Sequence, residues 1–174
     1  MVVDHLLTDL RSHDDTIGIA YIYCYYKKKE EQTLINLASS LVQHLVQQRN
    51  EISEGVKKCY HSYSQQRNRP KLEEVWQLLY PEMLMFPRIF IMIDALDECG
   101  HDDQTRQRLI DRLRSMQEFL PINLMVTSHP IPVVVSDFCD SLSVHIRANE
   151  TDIRNYVQAQ MVRLPPAVQQ DPSL

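Results

Sequence analysis

Apolar residues at Leu34, Leu37, Ala38, Leu41, Val42, Leu45 and Val46 repeat at intervals of three and four, the strongest helical stripe in the chain. Weaker stripes of the same period predict helices over Met1–Leu10, over Glu51–Tyr63, and over Leu72–Leu79, with Pro81 stopping the last of these. Two further helical faces come later in the chain: Leu109, Ile110, Leu113, Met116 and Leu120 behind caps at Asp102 and Asp103, and Ile153, Tyr156, Val157 and Met161 behind a cap at Asn149. A different pattern marks the strands. Ile17–Tyr26 is rich in β-branched and aromatic residues, and Arg88–Asp94 and Ile122–Thr127 are near-continuous apolar runs. Ser141–Ile146 reads as a weaker strand. Strands alternating with helices predict an α/β domain with a mostly parallel sheet, whose functional groups lie at the carboxyl ends of the strands. Ser64–Arg69, closed by Pro70, reads as a loop, and the proline-rich tail from Leu164 as disordered.

Composition narrows the class without naming it. The 174 residues suit one domain, and 44% hydrophobic with 24% charged residues is ordinary for a globular chain. A net charge of −5 gives no footprint for nucleic acid, and the run Lys27–Lys29 is answered at once by Glu30 and Glu31. No apolar run reaches the roughly 18–20 residues that span a bilayer, and Met1–Leu10 lacks the basic start of a signal peptide, so a cytoplasmic protein is expected. Cys24, Cys59, Cys99 and Cys139 are widely spaced and are expected to be reduced. Cys99 with His101 is at most half a metal site.

The chemistry concentrates in Ile91-Met-Ile-Asp94-Ala-Leu-Asp97-Glu98-Cys99. An acid leaving a buried strand costs free energy unless something stabilises it. Asp94 is placed to bind magnesium directly or through water, and Asp97 or Glu98 to orient or deprotonate an attacking water. The competing reading is structural, since acids after strands also cap helices and shape turns. A phospho-accepting receiver domain is disfavoured because no lysine follows Lys71, and a serine hydrolase because no GxSxG motif is present.

The run IMIDALDEC resembles the Walker B segment of NACHT domains, in the STAND class of P-loop NTPases, and is closest to the fungal NACHT proteins fused to ankyrin or WD repeats. Leu124-Met-Val-Thr127-Ser128-His129-Pro130 is similar to the next strand and sensor segment of that family, and Ala148–Ile153 to the start of the following helix. The resemblance covers roughly Val2–Val162. It implies an incomplete P-loop NTPase-like three-layer α/β fold: a partial NACHT domain over residues 1–163 and a tail over 164–174. It also implies Asp94 as an inherited magnesium ligand, Asp97 and Glu98 as inherited catalytic acids, and Thr127, Ser128 and His129 as weak sensor-like nucleotide contacts.

The chain departs from that family in two places. It has only Gly18, Gly55 and Gly100, and no Lys is followed by Ser or Thr, so the glycine-rich phosphate-binding loop and the strand before it are missing. His129 stands where the family has Arg, and His is mostly neutral at pH 7. The isolated chain is therefore expected to bind no cofactor and not to hydrolyse nucleotide, with Mg-ATP or Mg-GTP entering only if the loop is supplied. The missing strand is expected to leave apolar sheet edges that favour self-association or contact with other NACHT proteins. The alternatives are a non-catalytic interaction module and a fragment of a full-length NTPase switch.

Overall fold

The computed structural model describes residues 2–66, 69–99, 103–147 and 149–161. The chain divides into two compact units, residues 1–137 and 138–174. The first unit opens with α1, which is α-helical over Val2–His5, takes a π turn over Leu6–Leu10 and closes over Arg11–His13. β1 (Ile17–Tyr23) leads through a 3-10 turn at Tyr26–Lys28 into α2 (Leu34–Gln47), then α3 (Glu54–Gln66) and α4 (Leu72–Leu84). β2 (Arg88–Asp94) is followed by a 3-10 turn at Leu96–Glu98, α5 (Asp103–Gln117), β3 (Ile122–Val126) and α6 (Pro132–Asp137).

The three strands form a parallel sheet in the order β1-β2-β3. The α/β class and the parallel sheet read from the sequence are thus what the chain forms. Parallel strands need crossovers, and here each crossover is helical, as the alternation of patterns predicts. β2 is the central strand, and its Ile89, Ile91 and Ile93 have no exposed surface. Removing such a side chain in a core costs about 2–5 kcal/mol. α2 packs on β1, α4 and α5 through Leu37, Ala38, Leu41 and Leu45, the face its period selects. Thr33 caps α2 by accepting from the Asn36 amide at 3.4 Å. Gly18 lies under the Phe86 ring, where a Cβ would meet Cγ at 2.8 Å, so the residue is fixed by close approach.

Several expectations are corrected. α4 runs through Pro81 to Leu84. A helix-interior proline forfeits one backbone hydrogen bond. Tertiary contacts just beyond the proline keep the helix going: Met83 is fully buried, and the buried Glu82 carboxylate receives Arg49 Nη1 at 3.2 Å and the Ser53 hydroxyl. β3 is only half-buried, with Asn123 and Met125 exposed, because it has a single neighbour among the described residues. α3 continues to Gln66, into the stretch read as loop. α6 had no counterpart in the sequence reading.

In the second unit the strand read at Ser141–Ile146 does not form. The segment joins no ladder, and Leu142, Val144 and Ile146 are exposed, since alternation alone supplies none of the ladder hydrogen bonds a strand needs. α7 (Glu150–Met161) is capped as anticipated, Asn149 Oδ1 accepting from the Thr151 amide at 2.9 Å. Its expected inward face is not buried: Ile153, Tyr156 and Val157 are all exposed. Asp102, His101 and the tail from Leu164 lie outside the described residues.

Candidate functional site

The parallel sheet brings the ends of β2 and β3 together, and with them the predicted acid and sensor residues. β2 delivers Asp94 at its last position. Thr127, one residue beyond β3, is held by its amide on the Ile93 carbonyl at 2.9 Å and by its carbonyl on the Leu96 amide at 2.8 Å. Its hydroxyl donates to Asp94 Oδ1 at 2.5 Å and accepts from the Ala95 amide at 2.9 Å. Ala95 takes a left-handed conformation, φ 54° and ψ 53°, and this turns the chain sharply off β2. Such a conformation costs a non-glycine residue about 1–2 kcal/mol, and here the Thr127 bonds retain it.

The turn Leu96–Glu98 then sends its two acids in different directions. Both oxygens of Asp97 are engaged by His129: the backbone amide donates to Oδ1 at 3.1 Å, and ring Nδ1 meets Oδ2 at 2.6 Å. Burial pushes the Asp97 carboxyl up, but the bonds from His129 outweigh it and hold the group below the usual carboxylate range. The same contact raises His129 above the ordinary imidazole range, although its side chain is largely in solvent. The carboxylate partner thus favours the protonated ring of His129. Glu98 reaches back to the loop after β1, its Oε2 accepting from the Tyr26 amide at 2.8 Å. Ser128 donates to the carbonyl of His129 at 2.7 Å.

Beneath the turn lie features that the sequence reading did not connect. The Cys24 amide donates to the Asp94 carbonyl at 3.0 Å, and the buried thiols of Cys24 and Cys99 are hydrogen-bonded. That bond, with burial behind it, pushes the Cys24 thiol up. The bond from Cys24, with the buried Arg106 behind it, lowers the thiol of Cys99. A separate groove of about 400 Å³ is lined by Trp76, Tyr80, Arg112, Met116 and Phe119 and involves none of these residues.

Magnesium takes six oxygen ligands and keeps several waters, so a single carboxylate suffices when phosphates supply the rest. Asp94, with Thr127 on one oxygen, suits that partial role. Among the described residues no group of three His, Cys, Asp or Glu forms a closed metal cage. Asp97 has no oxygen free of His129, so it orients a water only if that contact opens.

A family model described as nephrocystin 3, N-terminal, matches residues 1–129, which is 129 of the 174 residues. The chain belongs to the nephrocystin 3 N-terminal family. No curated protein and no solved structure matches it. The nephrocystin 3 match ends on His129, the residue that grips Asp97. It therefore takes in all three strands and the acid turn, and leaves out α6 and the second unit.

Proposed function

We propose that this chain is the acid-and-sensor portion of a NACHT-type signalling NTPase domain of the STAND class, and that alone it does not hydrolyse ATP or GTP. The observation that carries the reading is the Asp94–Thr127 hydrogen bond at the carboxyl ends of adjacent parallel strands. That is where phosphate and metal chemistry gathers in open α/β sheets. In this reading Asp94 is the magnesium ligand, Asp97 and Glu98 are the acids inherited for water positioning, and Thr127, Ser128 and His129 face the nucleotide. Triphosphate binding by P-loop proteins depends on a glycine-rich loop, a lysine and a Ser/Thr magnesium ligand, none of which these residues supply. When magnesium and a triphosphate are bound, they supply the electrophile. The chain's own contribution is to hold one carboxylate and its hydroxyl partner in place.

Titration of a fluorescent ATP analogue with magnesium into the full chain tests the idle state. The expected result is no saturable binding through the micromolar range, with Asp94→Ala indistinguishable from the parent. Micromolar, magnesium-dependent binding abolished by Asp94→Ala would overturn it. Mass spectrometry of the endogenous protein tests the parentage. Upstream peptides ending in Gly-Lys-Ser or Gly-Lys-Thr return Asp94 to a working NTPase, whereas a terminus at Met1 or Val2 leaves a non-catalytic chain.

A second reading, an interaction module, is favoured by the exposed apolar face of α7, where Ile153, Tyr156 and Val157 lie on one helical stripe. No helix among the described residues is long and apolar enough to cross a membrane.

A further inference from the structure

We infer that Cys24 and Cys99 are a redox-active dithiol, which hydrogen peroxide converts to an intramolecular disulfide that staples the acid turn to the end of β1. The inference is independent of the nucleotide reading. It starts from the backbone. Tyr23 and Asp94 are the last register partners of β1 and β2, and the Cys24 amide carries the pairing one step further by donating to the Asp94 carbonyl at 3.0 Å. The chain then leaves the strand direction at the left-handed Ala95. The Glu98 amide donates to the Ala95 carbonyl at 2.8 Å and the Cys99 amide to the Leu96 carbonyl at 3.1 Å, which curls the turn back on itself. Glu98 Oε2 accepts from the Tyr26 amide at 2.8 Å, a second tie between the turn and the segment after β1. The two sulfurs meet inside this frame and share a hydrogen bond. Both residues are buried, Cys24 at 7% and Cys99 at 4% exposure, and the contact lies wholly within the first unit.

The reduced pair is the resting state. Hydrogen bonds on both segments hold the two sulfurs together, so the proximity that a disulfide needs is already in place. The chemistry takes two steps. One sulfur attacks a peroxide oxygen: an S–O bond forms, the O–O bond breaks, and the first water leaves with that thiol's proton. The other sulfur then attacks the resulting sulfenic sulfur: the S–S bond forms, the S–O bond breaks, and the second water leaves with the second thiol's proton. The dithiol loses two electrons, and one hydrogen peroxide becomes two waters. Burial selects an oxidant little larger than water. It also places the second thiol beside the sulfenic acid before another peroxide arrives, so the product is the disulfide and not a sulfinic acid. Thiol exchange with an added dithiol reverses the reaction. The new bond ties the turn that carries Asp97 and Glu98 to β1 covalently, where hydrogen bonds alone held it before.

The test is hydrogen peroxide treatment of the full chain, folded and in urea, followed by alkylation and non-reducing peptide mapping by mass spectrometry. The folded chain should give a linked peptide joining Cys24 to Cys99, lighter than the reduced pair by two hydrogens, and dithiothreitol should restore both thiols. In urea the frame is lost, and links should scatter among the four cysteines. Cys24→Ser or Cys99→Ser should abolish the link and leave the remaining thiol as a sulfenic acid that dimedone traps. Mapping of the parent chain decides the matter even if the serine variants fail to fold. Amide hydrogen exchange at Tyr26 and Cys99 should slow on the order of tenfold or more in the oxidised chain. Cys24 and Cys99 remaining reduced while the exposed Cys139 oxidises overturns the proposal. So does a sulfinic acid at either position without a link, a link from either to Cys59 or Cys139 in the folded chain, or an equal yield of the Cys24–Cys99 link in urea. A link that leaves exchange at the two amides unchanged is no staple, and the proposal fails.

Discussion

The two edges of this sheet are finished in opposite ways. Along β1 the outward backbone groups are taken up by side chains: Gln48 serves both groups of Ile19, His44 accepts from Tyr21, and Gln32 bonds both groups of Tyr25 beyond the strand. A glutamine amide offers one donor and one acceptor in nearly the spacing of a peptide, so each acts as a one-residue strand. The Ile17 amide is taken by the Asp14 carbonyl at 3.3 Å. Along β3, among the described residues, Ile122 is served, its carbonyl by Gln117 and its amide by the Leu120 carbonyl. The difference shows that an edge is a chemical state of particular groups rather than a position in the strand order. β1 is terminal in the sheet, yet the outward amides of Ile17, Ile19 and Tyr21 and the carbonyl of Ile19 are already bonded.

Emptying the protected edge should have the largest effect. Gln48→Leu keeps the bulk of the side chain but strands the amide and carbonyl of Ile19, a residue with no exposed surface. Each buried unsatisfied group costs about 1–3 kcal/mol, so a loss of about 2–5 kcal/mol is expected in urea unfolding. Gln48→Glu keeps the acceptor and should lose about half of that. Unchanged stability in Gln48→Leu would mean that the plug is incidental.

Gly18→Ala is next. It tests whether the face of β1 is as tightly specified as its edge. The added Cβ would sit 2.8 Å from Phe86 Cγ, and overpacking of this kind costs about 1–3 kcal/mol. Denaturant midpoints measure it. A smaller effect is expected at β3. Gln117→Ala frees the Ile122 carbonyl and should cost about 0.5–1.5 kcal/mol, the net worth of one hydrogen bond near solvent.

Legibility in the sequence divides along the same line. Arg88–Asp94 was read to its last residue because a central parallel strand is buried on both faces and leaves an unbroken apolar run. The faces of α2 and α5 were legible because one helical side meets the core. Asp94 and Thr127 were placed at strand ends by topology alone. The plugs were not legible: Gln32, His44 and Gln48 fall outside the apolar stripe, and only the fold brings them to β1. Nor was the Asp97–His129 contact, because the two are 32 residues apart and no local pattern links them. Pro81 and Ser141–Ile146 misled for a shared reason. The helix survives on tertiary packing around Glu82 and Met83, and the 141–146 segment makes no ladder hydrogen bonds; a local pattern records neither.

The smallest expected effect separates the edges by pH. Burial lowers His44 below the ordinary imidazole value, and its Nδ1 must be unprotonated to accept the Tyr21 amide. A depressed group binds fewer protons folded than unfolded, so its contribution is full above about pH 6.5 and fades as pH falls through the folded value. His129 runs the other way. Asp97 raises it, so its contribution is full below about pH 6.5 and is lost as pH climbs through the folded value. The two histidines therefore act on opposite sides of about pH 6.5, and between about pH 5 and 8 stability in the parent should pass through a maximum there. Removing one should flatten its side. His129→Ala should leave stability rising up to about pH 6.5 and level above it, and His44→Gln, which keeps an acceptor for Tyr21, should leave it level below and falling above. Urea midpoints across that pH window measure both slopes. If the slopes have the same sign, His44 is not titrating against the β1 edge, and the plug there is held by Gln48 alone.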